Sequence, residues 1–190
     1  MGTNSFFSVE VLGIALSVSR VDDGTTPSIN VPSTTYNNGK GMIVDSGTTD
    51  MYLPRASASA FEHAWRDIAG RSYTAGSAYT YTDEQLLRLP SVHVRMAEGR
   101  TVTIVPEAYM EWVGGTTYRP RIYLDENSGG VMGGPFLRGH DVLFDSSTKQ
   151  IGFARATCLP NNVTGEDGPH GTTPHMARKP THKIHGGPRR

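Results

Sequence analysis

Val44-Asp45-Ser46-Gly47-Thr48-Thr49 constrains this chain more than any other run of its 190 residues, because it sets a carboxylate on a tight turn between an apolar strand end and a row of hydroxyls. Ile43 and Val44 read as the end of a buried strand. Gly47 lets the backbone approach where a larger residue would obstruct it, and Ser46, Thr48 and Thr49 offer short-range hydrogen-bond partners. Asp, Ser and Gly are also ordinary turn formers, so the six residues by themselves fit a hairpin turn as well as a held, reactive acid.

The rest of the chain reads as mostly β. Phe7, Val9 and Val11, then Ile14, Leu16 and Val18, alternate with small or polar residues, which predicts an opening hairpin broken at Gly13. Between Asp22 and Gly41, turn residues surround Ile29 and Val31 and predict short strands. One helix is expected after Pro54: Phe61, Ala64, Trp65 and Ile68 fall at helical spacing, Gly70 follows its end, and Phe61, Trp65 and Ile68 should pack on a sheet. Arg71 to Gln85 has no clear period and reads as a surface excursion or irregular hairpin. Val92–Met96 and Val102–Val105 flank Glu98-Gly99-Arg100 as a hairpin, and strands near 121–124, 130–132, 141–144 and 151–154 bring the expected count to about ten.

Several segments, in this order along the chain, resemble the C-terminal lobe of the pepsin-like aspartic proteases. Ser5 to Ile14 resembles the strands that open that lobe, and Val44 to Thr49 its active-site loop. Leu53-Pro54 with the helix after it, Leu89-Pro90-Ser91-Val92-His93-Val94, and Ile104-Val105-Pro106-Glu107-Ala108-Tyr109 resemble its middle. Gly130-Val131-Met132-Gly133-Gly134-Pro135-Phe136-Leu137, Val142-Leu143-Phe144-Asp145 and Gln150-Ile151-Gly152-Phe153-Ala154 resemble its end. The resemblance covers roughly Ser5 to Cys158. It implies an all-β fold, a single pepsin-like lobe that is the C-terminal half of a bilobal fold, with one or two short helices. It places that lobe over residues 1–159; the composition of residues 160–190, rich in His, Pro, Gly and basic residues, predicts a disordered tail.

Aspartic proteolysis needs two carboxylates close enough to share one proton, since like charges about 3 Å apart cannot both ionise. The resemblance makes Asp45 one of that pair. Ser46 would brace the loop against its counterpart across the lobe boundary, and Gly47 would bring an amide to the carboxylate. Thr48 would hydrogen-bond the outer carboxylate oxygen, and Thr49 would lie beside the substrate backbone. Val131, Met132 and Gly133 would thread behind the loop, with Met132 near a substrate pocket.

The departure from the family pattern is large: these 190 residues contain no second D-S/T-G and no lobe with a flap tyrosine. Asp22-Asp23-Gly24 lacks the hydroxyl and Asp145-Ser146-Ser147 lacks the glycine. A complete site therefore calls for the missing N-terminal lobe or a second copy of this chain, as in symmetric retroviral-type proteases. The expected function is half of an aspartic endopeptidase acting on a peptide or protein substrate. A non-catalytic peptide- or protein-binding lobe is the alternative. A phosphate site at Gly129 to Gly134 fails for want of G-x-G-x-x-G register, a following helix and a P-loop lysine.

Composition narrows the partners. Eighteen basic and eighteen acidic residues cancel, so no field of one sign favours nucleic acid. No apolar run approaches the roughly 20 residues of a membrane span, and Met1-Gly2 lacks the downstream hydroxyl of a myristoylation signal. No cofactor is expected. His170, His175, His182 and His185 have no zinc-like spacing, so no metal is expected either. The single cysteine, Cys158, excludes an internal disulfide, unlike secreted members of the resembled family. The resemblance implies the secretory pathway, an extracellular setting or an acidic compartment, where the sequon Asn162-Val163-Thr164 would matter.

Overall fold

A computed structural model describes residues 6–156. Cys158, the sequon, the four tail histidines and the proposed disordered segment lie outside the described residues.

The fold is mostly β and consistent with a single pepsin-like lobe. Its strands are β1 (Ser8–Val9), β2 (Val11–Ser17), β3 (Met42–Val44), β4 (Met51–Pro54), β5 (Tyr79–Thr80), β6 (Ser91–Met96), β7 (Thr101–Ile104), β8 (Met110–Gly114), β9 (Thr117–Pro120), β10 (Ile122–Glu126), β11 (Gly130–Met132), β12 (His140–Asp145) and β13 (Gln150–Arg155). Among the described residues the strands exceed the expected ten because several are only two or three residues long.

The sheet that positions the Asp45 loop has the order β1-β3-β11-β4-β10. β3 and β4, joined directly by that loop, are not paired with each other. β11 lies between them, parallel to β3 and antiparallel to β4. β3 is apolar throughout because both its faces are covered: Met42, Ile43 and Val44 are all buried.

The remaining strands form two three-stranded sheets, β2-β6-β7 and β5-β9-β8, and the hairpin β12-β13. The β6-β7 hairpin forms as the alternation predicts, through a 3-10 turn with Glu98 at φ 61° and Gly99 at φ 68°. The expected opening hairpin does not form. β1 pairs with β3 and β2 with β6, the break falls at Glu10, and Gly13 lies inside β2 at a register shift. Alternation identifies strands but carries no information about their partners.

The helix after Pro54 is present. Pro54 ends β4, a 3-10 turn spans Arg55–Ser57, and the helix runs Ala58–Ala69, closed by Gly70 at φ 67° with its amide on the Arg66 carbonyl at 2.9 Å. Phe61 and Trp65 are fully buried and meet Tyr73 edge-on, with ring centroids 5.2 and 4.8 Å away. Ile68 packs at the edge of the core.

Shorter helices lie at Ser33–Asn37, Asp83–Leu87, Pro106–Tyr109 and Gly134–Leu137. In chain order the five are α1 to α5, the long one being α2. The strands expected near Ile29 and Val31 do not form; the chain there is irregular and leads into α1. Asn37 at its end makes hydrogen bonds of 2.9 and 2.8 Å with the Val11 amide and carbonyl, and the Ile29 amide bonds the Ile14 carbonyl at 2.8 Å, so this segment straps the edge of β2. α3 occupies the stretch read as a surface excursion; Thr82 and Gln85 form its capping box.

One titratable side chain is fully buried within a sheet. His93 of β6 lies between Ser17 Oγ at 2.8 Å from Nε2 and Thr103 Oγ1 at 3.0 Å from Nδ1. Burial lowers its pKa below the ordinary 6.5; nearby Asp22 and Asp23 oppose that and Arg95 reinforces it. The unfolded chain therefore binds a proton that the fold resists, so stability is full above about pH 6.5 and declines as pH falls through the lowered value. Two outcomes follow from this core. Trp65→Ala should cost about 3–5 kcal/mol in urea unfolding. His93→Gln should flatten the fall of melting temperature between pH 7 and pH 5, measured by circular dichroism.

Candidate active site

The Asp45 loop is anchored from beneath by β11. The Asp45 amide donates to the Met132 carbonyl at 3.1 Å, and the Gly134 amide donates to the Thr48 carbonyl at 2.9 Å. These two bonds require the chain leaving β11 to pass directly under the loop. A β-carbon on Gly133 would stand 2.3 Å from the Thr48 carbonyl oxygen and 2.1 Å from that of Asp50, and one on Gly134 would stand 2.5 Å from that of Thr49. Only glycine fits at either position.

The loop closes on the carboxylate it carries. The Thr48 amide donates to the Asp45 carbonyl at 3.3 Å, the Gly47 amide to Oδ1 at 2.9 Å, and the Thr48 hydroxyl to Oδ2 at 2.6 Å. Each carboxylate oxygen thus has its own donor from within three residues. The Thr48 hydroxyl and then the Gly47 amide hold the Asp45 carboxyl below its ordinary pKa, against a weaker opposing effect of burial. Asp45 remains partly open to solvent at the loop's outer rim. Gly47 does not occupy the left-handed backbone region; its amide approaches the carboxylate, and an added β-carbon would lie 3.2 Å from Oδ1.

Ser46 and Thr49 are exposed and make no side-chain hydrogen bond among the described residues. Met132 has no exposed surface, so at this stage of the fold its side chain belongs to the core and its carbonyl supports the loop. Beside Asp45 and Ser46 runs an open groove of about 250 Å³ whose apolar lining is Phe6, Phe7, Val44 and Phe144.

The other acidic turns are engaged by neighbouring side chains of the fold. Asp145 accepts from the Ser147 hydroxyl at 2.6 Å and the Ser147 amide at 2.8 Å, closing the β12-β13 turn, and these bonds hold its carboxyl far below the usual range. Asp22 receives two bonds of 2.7 Å from Arg95, which hold its pKa at about 2. Among the described residues no three His, Cys, Asp or Glu side chains converge as metal ligands.

One feature of the loop carries no signal in the sequence. Asp50, its last residue, lies 2.6 Å from Arg121 Nε as an ion pair without hydrogen-bond alignment, and Arg121 also lies 3.5 Å from Glu111. Tyr52 stacks on Tyr123 beside it at 5.3 Å. The pairing joins positions 71 residues apart in the chain, and only the β4-β10 register brings them together.

The family model described as eukaryotic aspartyl protease matches residues 4–156. This chain belongs to the eukaryotic aspartyl protease family. It is similar to a probable aspartyl protease of Arabidopsis thaliana, 22% identical over 178 residues that take in 80% of this chain and 35% of the relative. It is also similar to a probable aspartic-type endopeptidase of Arthroderma benhamiae, 30% identical over 116 residues, 59% of this chain and 30% of the relative. The chain spans about a third of the length of these curated relatives.

For an aspartyl protease domain the state of Asp45 is measurable without turnover. Thr48→Val removes the larger of the two donors, so the Asp45 carboxyl should titrate at higher pH than in the parent chain, read by carbon-detected NMR. An unmoved titration would mean that the hydroxyl does not set the acidity of this group.

Proposed function

We propose that this chain is the C-terminal lobe of an aspartic endopeptidase, contributing Asp45 and half of a cleft for an extended peptide. The observation that supports the reading is the Asp45 carboxylate itself, partly exposed, with the Gly47 amide on one oxygen and the Thr48 hydroxyl on the other. These donors favour the ionised form, the form that can take a proton from water. A second carboxyl pressed against it would keep its proton, because the two charges repel at that distance.

The reaction follows from that division. The ionised acid removes a proton from a water molecule as its oxygen attacks the scissile carbonyl, and the protonated acid donates to the carbonyl oxygen. The tetrahedral gem-diol collapses as Asp45 gives its proton to the leaving amine and a gem-diol hydroxyl returns one to the second acid, which restores the pair. Thr49, exposed beside the acid, suits a hydrogen bond to the substrate backbone, and Ser46 suits a brace to the opposing loop. The second acid would come from an N-terminal lobe or from a second copy of this chain. An acidic secretory compartment would suit a pair that must hold one proton.

A peptide-binding lobe without turnover is the second reading, favoured by the single D-S-G motif in the sequence. The decisive measurement uses the chain joined to an N-terminal lobe that carries a second D-T/S-G acid, and a fluorogenic peptide library at acid pH. Cleavage should occur, and Asp45→Asn should lower it by on the order of 10³-fold or more. Cleavage that survives Asp45→Asn would sink the mechanism. Binding without turnover in the joined protein would select the second reading, and sedimentation of this chain alone separates a second copy from a distinct lobe.

A further inference from the structure

A second concavity shares no residue with the Asp45 loop. It lies between the last turn of α2 and the end of α3, with a volume of about 250 Å³. Ile68, Leu89 and Tyr81 form its apolar wall, while Arg71, Gln85 and Arg88 stand around its mouth. Leu89 and Tyr81 are almost fully buried, so they belong to the frame of the lobe.

Arg71 is held in place without being neutralised. Its guanidinium carbon lies 4.9 Å from the centroid of the Tyr81 ring and 5.8 Å from that of Tyr79. Stacking on two rings restricts the side chain; part of the guanidinium is engaged by the Tyr81 hydroxyl, and its remaining N–H donors can meet a carboxylate. No acidic side chain pairs with Arg71 among the described residues. Among the described residues Arg88 is paired only with Glu84, one turn back on the exposed side of α3, where both side chains are about three-quarters solvent-exposed. Such a pair contributes little and yields readily to a better acceptor.

The polarity of the pocket orients its occupant. The last turn of α2 carries the negative end of that helix, so an anion is disfavoured against Ile68 and favoured at the two arginines. The apolar part of a ligand therefore points inward and its carboxylate stays at the mouth. The volume falls just below the roughly 300–1,000 Å³ of small-molecule sites, which leaves room for one large side chain.

We propose that this pocket is a docking site for an acidic peptide segment, one apolar or aromatic side chain entering between Ile68 and Leu89 while neighbouring carboxylates bind Arg71 and Arg88. The site stands whether or not Asp45 takes part in catalysis.

The test is fluorescence anisotropy of the full chain with a labelled heptapeptide in which a central Phe is flanked by glutamates. Saturable binding is expected, weakened tenfold or more by Arg71→Gln and severalfold by Arg88→Gln, and unchanged by Asp45→Asn. Both arginines are exposed, and an unchanged proton–nitrogen spectrum outside the pocket establishes that each variant is folded. Exchanging the peptide's glutamates for glutamine, or its Phe for Ala, should weaken binding at least tenfold. Equal binding of the Ala peptide would reduce the effect to charge alone and overturn the proposal. So would indifference to Arg71→Gln, loss of binding in Asp45→Asn, or no saturation up to millimolar chain. Displacement by hexanoate at the peptide's own concentration would reassign the pocket to small carboxylates.

Discussion

The insertion of β11 between β3 and β4 is the constraint on which the site depends. Adjacent strands lie about 4.8 Å apart, so a loop joining β3 to β4 must reach across roughly 10 Å over the strand between them. A loop stretched in that way has no partner of its own in the sheet. It is held by the Met132 carbonyl under the Asp45 amide and the Gly134 amide under the Thr48 carbonyl. Both contacts join residues more than 80 positions apart, so the acid reaches its final geometry only when the sheet is assembled, a late event for long-range pairing.

That geometry explains which glycines the fold can least spare. Gly133 and Gly134 lie against the backbone oxygens of Thr48, Thr49 and Asp50, where a side chain would push the loop away from β11 and withdraw its support. Gly47 is a different case, since its contact is with the Asp45 carboxylate and the clearance there is larger. At the far end of the loop, Arg121 is fixed by its own backbone, bonded to Tyr109 and Met51, and sets its guanidinium against Asp50. Both ends of a short loop are thus tied to strands that arrive later in the chain.

What was legible in the sequence was mostly local. The β6-β7 hairpin and α2 follow from alternation, helical spacing and Gly70, all signals contained within fifteen residues or so. The resemblance located Asp45 and the strand behind it because the family preserves their order along the chain. Partner choice was not legible: the residues of β1 and β2 read as strands, but nothing in them says that one joins β3 and the other β6. α1 escaped because Asn37 is useful only once Val11 is beside it. α3 carried a readable signal in Thr82 and Gln85, obscured by the surrounding Tyr, Ser and Gly. The Asp50–Arg121 pair and the pocket under Arg71 depend on register and on the angle between helices, neither of which has a local signature.

Under the proposed reading, the lobe's own hydrogen bonds decide which half of the chemistry it carries. A carboxylate that only accepts bonds, from an amide on one side and a hydroxyl on the other, is stabilised as an anion and poorly suited to holding a proton. Placing another carboxyl against it makes the last proton of the pair harder to lose, so that shared proton belongs to both groups and the observed titration to neither alone. The same bonds fix the plane of the Asp45 carboxylate before a partner arrives. The cost of orienting this acid is therefore met within the lobe, and the docking of a second lobe has only to supply proximity and the proton.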